Sequence, residues 1–281
     1  MNPTTQISFL GGGNMARALI DGLLRNGFAA SQLRVGEPVE AQRAALARDY
    51  GVTALADNRE VIRGAALVVL AVKPQQAAQL LTDLAPTLAQ QRPLLLSIAA
   101  GLRVADLAVP CPGLPIVRAM PNRAALVGAG ATALYATSAV DPAARALAEQ
   151  VCGAAGLTVW VEHESDLDIV TALSGSGPAY FFLLAEHLAT AATAMGLDPG
   201  TAQLLARQTL CGAGALAAGT MTLTEQREAV TSKGGTTAAA LAALQAGGFD
   251  KLVAAAVAAA THQSAQLAAQ FGRPQTPGAT E

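Results

Sequence analysis

The stretch Ile7-Ser8-Phe9-Leu10-Gly11-Gly12-Gly13-Asn14-Met15-Ala16 is a short apolar run that leads directly into a glycine-rich turn. The apolar spacing from Met15 to Asn26 then predicts a helix. Taken as G-x-G-x-x-A, the turn has Gly11 for a tight bend, Gly13 for close approach of the backbone to a pyrophosphate, and Ala16 for close packing of helix on strand. Free N–H groups at the helix start favour an anion there. A strand, turn and helix in this order predict a dinucleotide site, although a purely structural glycine turn could have the same residues.

Short apolar runs continue to alternate with helical segments through the first half of the chain. The run 67–72 is continuously apolar, as expected for a strand that is covered on both faces. Strands that alternate with helices predict a mainly parallel, doubly wound α/β sheet. Besides residues 7–10, strands are predicted at 33–35, 67–72, 94–98, 115–118, 131–135 and 157–161, with a second helix at 40–49.

The second half has a different pattern, because residues 166–270 contain no convincing strand and are rich in Ala, Leu and Gln. This composition predicts an all-helical domain whose small residues let helices approach closely, as in a subunit interface. The predicted organisation is a nucleotide-binding domain at 1–163, a helical domain at 164–272 and a disordered tail at 273–281.

Composition limits the classes of function. The chain has 281 residues, a length that suits two domains, and a net charge of −2 without a basic run, so no nucleic-acid partner is expected. No apolar stretch approaches the length needed to span a bilayer, and we expect no membrane association. Three widely spaced cysteines, Cys111, Cys152 and Cys211, suggest neither a disulfide framework nor a metal cluster. A reducing cytoplasm is therefore the expected location.

Glu37 follows the second predicted strand, at the place where the adenosine ribose of a bound dinucleotide would lie. An acidic side chain there accepts hydrogen bonds from the ribose hydroxyls of NAD and repels the 2′-phosphate of NADP. Arg34 and Arg43 are close in sequence, and a solvated turn glutamate explains the residue equally well. The sequence alone therefore leaves the choice of cofactor open.

Five segments resemble, in order, those of the pyrroline-5-carboxylate reductase family, and the match extends from Ile7 to about Leu267. The last two segments are the most specific, since related dehydrogenases share the fold but lack these two sequence motifs. The resemblance implies a Rossmann-type doubly wound sheet followed by an all-α dimerisation domain. The segments are Leu70–Gln75 (LAVKPQ), Ser97–Gly101 (SIAAG), Arg118–Asn122 (RAMPN), Thr171–Tyr180 (TALSGSGPAY) and Val230–Thr237 (VTSKGGTT).

The resemblance also implies which residues bind the cofactor, which it suggests is NADPH, with NADH as a second option. Asn58 resembles the residue that contacts the adenosine ribose, and Asn122 the one in the cleft between sheet and helices. Together with the residues of the glycine turn and Glu37, the predicted cofactor-binding set is Gly11, Gly13, Asn14, Met15, Ala16, Glu37, Asn58, Ala71, Val72, Lys73, Pro74, Ala99, Ala100, Gly101 and Asn122.

The resemblance implies a loop for the substrate carboxylate at residues 232–237. Ser232, Gly234, Gly235, Thr236 and Thr237 are its predicted binding residues, and hydroxyls beside free N–H groups at a helix start suit an anion. The competing interpretation is a capped helix start with Thr236 or Thr237 as the N-cap.

Glu164 resembles an acidic residue at the edge of the same pocket. Three departures from the family pattern affect the shape of the substrate loop: Arg123-Ala124 replaces Thr-Pro, Lys233 replaces a proline, and Met221–Gln226 replaces a proline-containing stretch.

The implied reaction is hydride transfer from the nicotinamide to a five-membered cyclic imine, which gives L-proline. A protonated imine accepts hydride readily, so Thr237 is assigned to positioning and no essential proton donor is assigned. The resemblance further implies a homodimer through the helical domain, a substrate site completed by a neighbouring subunit, and often a decamer of five dimers.

Two alternatives and one minor hypothesis accompany this interpretation. A β-hydroxyacid dehydrogenase would need a lysine on the helix between the domains, and residues 166–196 contain none. A regulatory protein that binds NAD(P) without turnover would not need the loop at 232–237. The acidic stretch 162–168 fits no hard-metal loop, so no metal is expected.

Overall fold

The computed structural model describes residues 5–271, and its first part is built on one eight-stranded sheet. The strands are β1 (Ile7–Leu10), β2 (Leu33–Gly36), β3 (Thr53–Leu55), β4 (Leu67–Leu70), β5 (Leu94–Ser97), β6 (Ile116–Met120), β7 (Gly130–Ala136) and β8 (Gly156–Trp160). Their order is β3-β2-β1-β4-β5-β6-β7-β8, and every neighbouring pair is parallel except β6 and β7. The predicted doubly wound sheet is therefore confirmed, with an antiparallel step near one edge.

The helices that connect and follow these strands are α1 (Asn14–Arg25), α2 (Glu40–Tyr50), α3 (Asn58–Val61), α4 (Pro74–Gln91), α5 (Val104–Ala108), α6 (Pro142–Gly153), α7 (Asp166–Val170), α8 (Gly177–Ala194), α9 (Pro199–Ala217), α10 (Leu223–Ala229), α11 (Thr236–Ala246) and α12 (Phe249–Phe271). A π-helical turn, Thr171–Gly175, joins α7 to α8. Short 3-10 helices lie at Ala30–Gln32 and Arg123–Val127.

Strand β4 shows why the sheet needs two apolar faces. All four of its residues are fully buried, and they alternate between two separate core clusters. Leu67 and Val69 pack with α1 on one side, whereas Val68 and Leu70 pack with α4 on the other. Each fully buried Leu or Val contributes about 1.5–3 kcal/mol of transfer free energy, so this run drives the folding of the centre of the sheet.

Two glycines allow close backbone contacts near the β7–β8 edge of the sheet. A Cβ on Gly22 of α1 would overlap the carbonyl oxygen of Ala154, in the turn after α6. A Cβ on Gly156 of β8 would overlap the backbone of Gly130 in β7, and Gly156 has φ +148°. These contacts join parts of the chain far apart in sequence, and the local sequence pattern gave no indication of them.

The chain divides into two compact units. One comprises residues 5–175 and 260–271 of the described chain, and the other comprises Ser176–Ala259. The break after Gly175 lies later than the predicted boundary at 163, because Asp168 and the π turn contact the sheet unit. The end of α12 also belongs to the sheet unit, where Ser264 Oγ donates to Asp168 Oδ1 at 2.8 Å. The tail predicted at 273–281 lies outside the described residues.

The second unit consists of helices, as predicted, and it leaves much apolar surface uncovered. Helix α8 has only Gly177 and Ala189 buried among its 18 residues. Phe181 and Phe182 are each 61% exposed, and Leu183 beside them is 53% exposed. An exposed apolar surface of this kind marks an interaction site.

The exposed helix also corrects one expectation. Asp166–Ala194 is long and apolar enough, at a mean hydropathy of 1.3, to meet the length and composition criteria for a membrane span. The prediction that no stretch comes close to such a length was therefore wrong. Gly175 and Gly177 resemble helix breaks in the sequence, but the chain remains helical through them.

Candidate functional site

The topology places the predicted cofactor residues of the sheet unit along one edge of the sheet. The first six strands are parallel, so their carboxyl ends lie at the same edge. The strand order reverses at β1, which has β2 on one side and β4 on the other. Such a reversal opens a crevice outside the carboxyl ends of the strands, where doubly wound sheets bind ligands.

The glycine turn closes directly over the end of β1. Gly11 N donates to Gly36 O at 2.9 Å, and Gly11 has φ +103°, a region that favours glycine. A Cβ at this position would lie 2.8 Å from Ala71 O, in the segment that follows β4. Gly11 is therefore required both by its conformation and by the close approach of the neighbouring strand end.

Gly13 and Ala16 lie at the start of α1, in surroundings that suit small residues. Gly13 is the N-cap of α1, no side chain caps this helix, and its first turn has no acidic residue. A Cβ on Gly13 would meet nothing within 4 Å, so the space in front of the helix start is open. Ala16 is 1% exposed in the core. The start of α1 thus offers free N–H groups to an anion.

Glu37 lies beside this turn. Its Oε2 accepts from Gly12 N at 3.3 Å, and its Oε1 accepts from Val39 N at 3.1 Å. The guanidinium of Arg43 donates to the carbonyl oxygens of Glu37 and Pro38. The partly exposed carboxylate is therefore hydrogen-bonded to the glycine turn.

The segments after β4 and β5 lie at the same edge of the sheet as the glycine turn. Ala71 N donates to Leu10 O at 2.9 Å, which holds Ala71–Pro74 next to the glycine turn. Lys73 is exposed and precedes Pro74, the first residue of α4. In the segment after β5, Ala99 and Ala100 lead to Gly101, which has φ +78° and packs against the ring of Phe271.

Asn58 provides a test of whether the site suits a dinucleotide. Its amide contacts Gly36 at the end of β2, where a Cβ would overlap Asn58 Oδ1. This oxygen is buried and has no hydrogen-bond partner among the described residues. A buried acceptor without a donor costs about 1–3 kcal/mol, and a ligand that supplies a donor would remove that cost. The open helix start and this free acceptor fit a nucleotide with a pyrophosphate and a ribose.

Asn122 organises the end of β6. Its Nδ2 donates to Ser174 O at 3.0 Å, and its Oδ1 accepts from Ala131 N at 3.1 Å. These bonds connect the π turn to the strand β7. π-Helical turns are found frequently at functional sites. The geometry gives Asn122 a structural role in shaping this edge, while its predicted contact with the cofactor stays a prediction.

Glu164 belongs to an ionic network that the sequence did not indicate. Its Oε1 accepts from the guanidinium of Arg118 and from Val104 N, both at 2.6 Å. Nearby, Arg103 donates to Asp168 at 2.9 Å. The network ties the loop after β5 and strand β6 to the start of α7. The acidic composition of 162–168 is the local signal for this network. The residues that pair with Glu164 and Asp168 are at least 46 positions away along the chain, so the sequence does not identify them.

The loop 232–237 lies in the second unit and is described within it. Gly235, not Thr236 or Thr237, is the N-cap of α11, and no side chain caps the helix. The interpretation of these threonines as N-caps was therefore wrong. Gly234 has φ +73° with open space around it. The loop presents an uncapped helix start with hydroxyls beside it, an arrangement that suits an anion.

The departures from the family pattern are absorbed locally. Thr222 within Met221–Gln226 caps α10 in a reciprocal capping box with Glu225. Arg123 and Ala124 begin a 3-10 helix whose N-cap is Asn122. Lys233 is exposed.

Two of the three cysteines are buried. Burial raises the pKa of the Cys152 thiol to about 12 and that of Cys111 to about 11, so neither forms a thiolate nucleophile at neutral pH. Within 5–271, no group of three or more His, Cys, Asp or Glu side chains is arranged to hold a metal ion.

Both parts of the chain match known protein families. Residues 164–267 match the family described as pyrroline-5-carboxylate reductase dimerisation, and residues 6–101 match the family described as NADP oxidoreductase, coenzyme F420-dependent. A pyrroline-5-carboxylate reductase from Pseudomonas aeruginosa is 42% identical over 96% of this chain and 99% of its own.

Solved structures agree with the sequence comparisons. A pyrroline-5-carboxylate reductase from Coxiella burnetii superimposes with a TM-score of 0.91 at 38% identity, covering 94% of this chain and 98% of its own. A pyrroline carboxylate reductase from Plasmodium falciparum, solved with NADP bound, superimposes with a TM-score of 0.79 at 28% identity. The match covers 95% of this chain and 99% of that protein. With its glycine turn, its Val230–Thr237 segment and these near full-length matches, the chain belongs to the pyrroline-5-carboxylate reductase family.

Proposed function

We propose that this protein reduces 1-pyrroline-5-carboxylate to L-proline, the final step of proline biosynthesis, with a hydride from a reduced nicotinamide dinucleotide. The observation that carries the proposal is the open, uncapped helix start behind Gly11–Gly13 at the point where the strand order reverses. The near full-length relatives named for this reaction supply the substrate.

The protein residues bind and orient rather than take part in covalent chemistry. The nicotinamide supplies the hydride when it is bound. The N–H groups at the start of α1 hold its pyrophosphate, and residues 71–74 and 99–101 border the crevice. Ser232, Gly234, Gly235, Thr236 and Thr237 bind the substrate carboxylate. A substrate bound as an iminium carries its own proton, so these positioning roles suffice. The family resemblance adds Glu164 as a further substrate-binding residue.

Turnover and one hydroxyl variant test the reaction. Oxidation of NADPH or NADH should occur only when pyrroline-5-carboxylate is present. Thr237→Ala removes one hydrogen bond to a charged group, about 1.5–3 kcal/mol, and should raise KM for the imine about tenfold or more. Thr237→Ser keeps the hydroxyl and serves as the control. A flat trace with fresh substrate and both nucleotides would refute the proposal.

A Gly13→Ala variant tests the cofactor site by itself. The backbone of Gly13 has φ −71° and ψ 179°, which alanine adopts readily, and the added Cβ would meet nothing within 4 Å. The unfolding midpoint should therefore stay unchanged. The methyl group would instead occupy the space of the pyrophosphate, and the Kd for NADH and NADPH should rise about tenfold or more. Fluorescence titration measures both Kd values. Unchanged values for the variant would show that the pyrophosphate does not bind at the start of α1.

The exposed helices of the second unit support a homodimer. The match to a dimerisation family covers α8 and α9, whose apolar side chains are uncovered in the single chain. Burial against a second copy accounts for them without a membrane. Sedimentation velocity at assay concentration should give the mass of a dimer or of a decamer of five dimers, and a stable monomer would contradict the proposal. Three free cysteines fit a cytoplasmic protein.

A further inference from the structure

We propose that Glu37 makes this protein prefer NADH to NADPH, because its carboxylate stands where the 2′-phosphate of NADPH would have to bind. The inference rests on the proposed function, since it assumes a nicotinamide dinucleotide in the crevice at β1. It reverses the order that the family resemblance suggested, and it does so on the geometry of one side chain.

The position of Glu37 is fixed from two sides. It directly follows β2, and its Oε2 accepts from Gly12 N at 3.3 Å, so the carboxylate faces the glycine turn. Its Oε1 accepts from Val39 N at 3.1 Å, which prevents the side chain from turning away into solvent. In a doubly wound sheet the ribose of the adenosine lies beside the end of the second strand. A carboxylate there accepts hydrogen bonds from the two ribose hydroxyls.

The neighbouring cations do not neutralise this carboxylate. Among the described residues, Glu37 forms no ion pair. Arg43 donates to the carbonyl oxygens of Glu37 and Pro38, at 2.9 and 2.6 Å, and Arg17 donates to Gly12 O and Gln42 Oε1. Arg34 donates to Arg63 O. Each of these guanidiniums is already engaged with another acceptor.

Charge then decides between the two nucleotides. They differ only by the 2′-phosphate, which carries close to two negative charges at neutral pH. Next to Glu37 this group meets a like charge and loses the hydroxyl that the carboxylate would accept from. NADH keeps that hydroxyl and adds no charge. The expected preference for NADH is about tenfold or more in Kd.

Direct binding measurements test the proposal without turnover. The Kd values of NADH and NADPH are determined by fluorescence titration without the imine for the wild type and for Glu37→Gln. Glutamine keeps the length and an acceptor for Gly12 N but removes the charge. The variant should bind NADPH about tenfold more tightly and NADH about equally. Glu40→Gln, which removes an exposed carboxylate three residues further along, should leave both values unchanged.

The outcomes separate this inference from the proposed function. If neither nucleotide binds the wild type, the proposed function fails. If both bind but NADPH binds as tightly as NADH or more tightly, or if Glu37→Gln leaves the ratio unchanged, the role of Glu37 is refuted and the reductase proposal stands. An Arg43→Ala variant that specifically weakens NADPH binding would show that Arg43 holds the 2′-phosphate, which would also refute it.

Discussion

Gly156→Ala is expected to lower the free energy of unfolding by about 4 kcal/mol. Gly156 has φ +148°, where a side chain adds about 1–3 kcal/mol of strain. A Cβ there would also overlap the backbone of Gly130, and overpacking costs about 1–3 kcal/mol more. Backbone atoms cannot rotate away, so β7 and β8 must separate where they begin to pair.

Gly153→Ala is the matched control for this substitution. Gly153 is the last residue of α6, three positions before Gly156, and a Cβ there would meet only Thr158 Cγ2 at 3.9 Å. Alanine should be neutral or slightly stabilising at that position. Urea denaturation followed by circular dichroism measures both variants. Equal midpoints for the two would show that β7 and β8 are not in the close contact described.

Glu164→Ala is expected to destabilise the protein by about 3 kcal/mol, because it leaves the guanidinium of Arg118 buried without its partner. The Arg118 side chain is 9% exposed and that of Glu164 is 21% exposed, so the pair is mostly shielded from water. The substitution also removes the acceptor of Val104 N. Replacing both charges, as Arg118→Met with Glu164→Leu, should recover part of the loss.

An exposed ion pair provides the comparison. Asp21 and Arg25, at 3.1 Å on the surface of α1, have side chains about half exposed, and Asp21→Ala should cost no more than about 0.5 kcal/mol. Kinetics separate the two proposed roles of Glu164. Arg118→Met breaks the ion pair but keeps the carboxylate, so a rise in KM for the imine with Glu164→Ala alone would indicate a substrate contact. Equal KM values in both variants would leave Glu164 a structural residue.

The centre of the fold could be predicted from sequence because its signals are local. The apolar run 67–70 has no polar residue, so it had to be covered on both faces. The G-x-G-x-x-A pattern places Gly11, Gly13 and Ala16 within six positions, so the turn can be predicted from one short segment. Strand β3 was not predicted, since Thr53–Leu55 has only three residues, one exposed and two partly buried, and shows no alternation.

The features that could not be predicted from the sequence depend on contacts between residues far apart in the chain. Arg118 and Glu164 are 46 residues apart, and neither position has a local pattern that names its partner. Gly22 and Gly156 resemble ordinary helix and strand glycines until the backbone they approach is known. The hydroxyls of Thr236 and Thr237 favoured these residues as N-caps in the sequence. In the structure Gly234 has a positive φ, and the N-cap of α11 is Gly235.

The return of α12 to the sheet unit limits how such proteins can exchange parts by recombination. Phe271 packs on Gly101, and Ser264 bonds Asp168, so the last turns of the chain are fitted to residues near its middle. A chimera that joined the first 163 residues of this chain to the remainder of a relative would pack Gly101 against another protein's last helix. Crossovers that keep residues 260–271 with their own sheet should yield folded hybrids far more often.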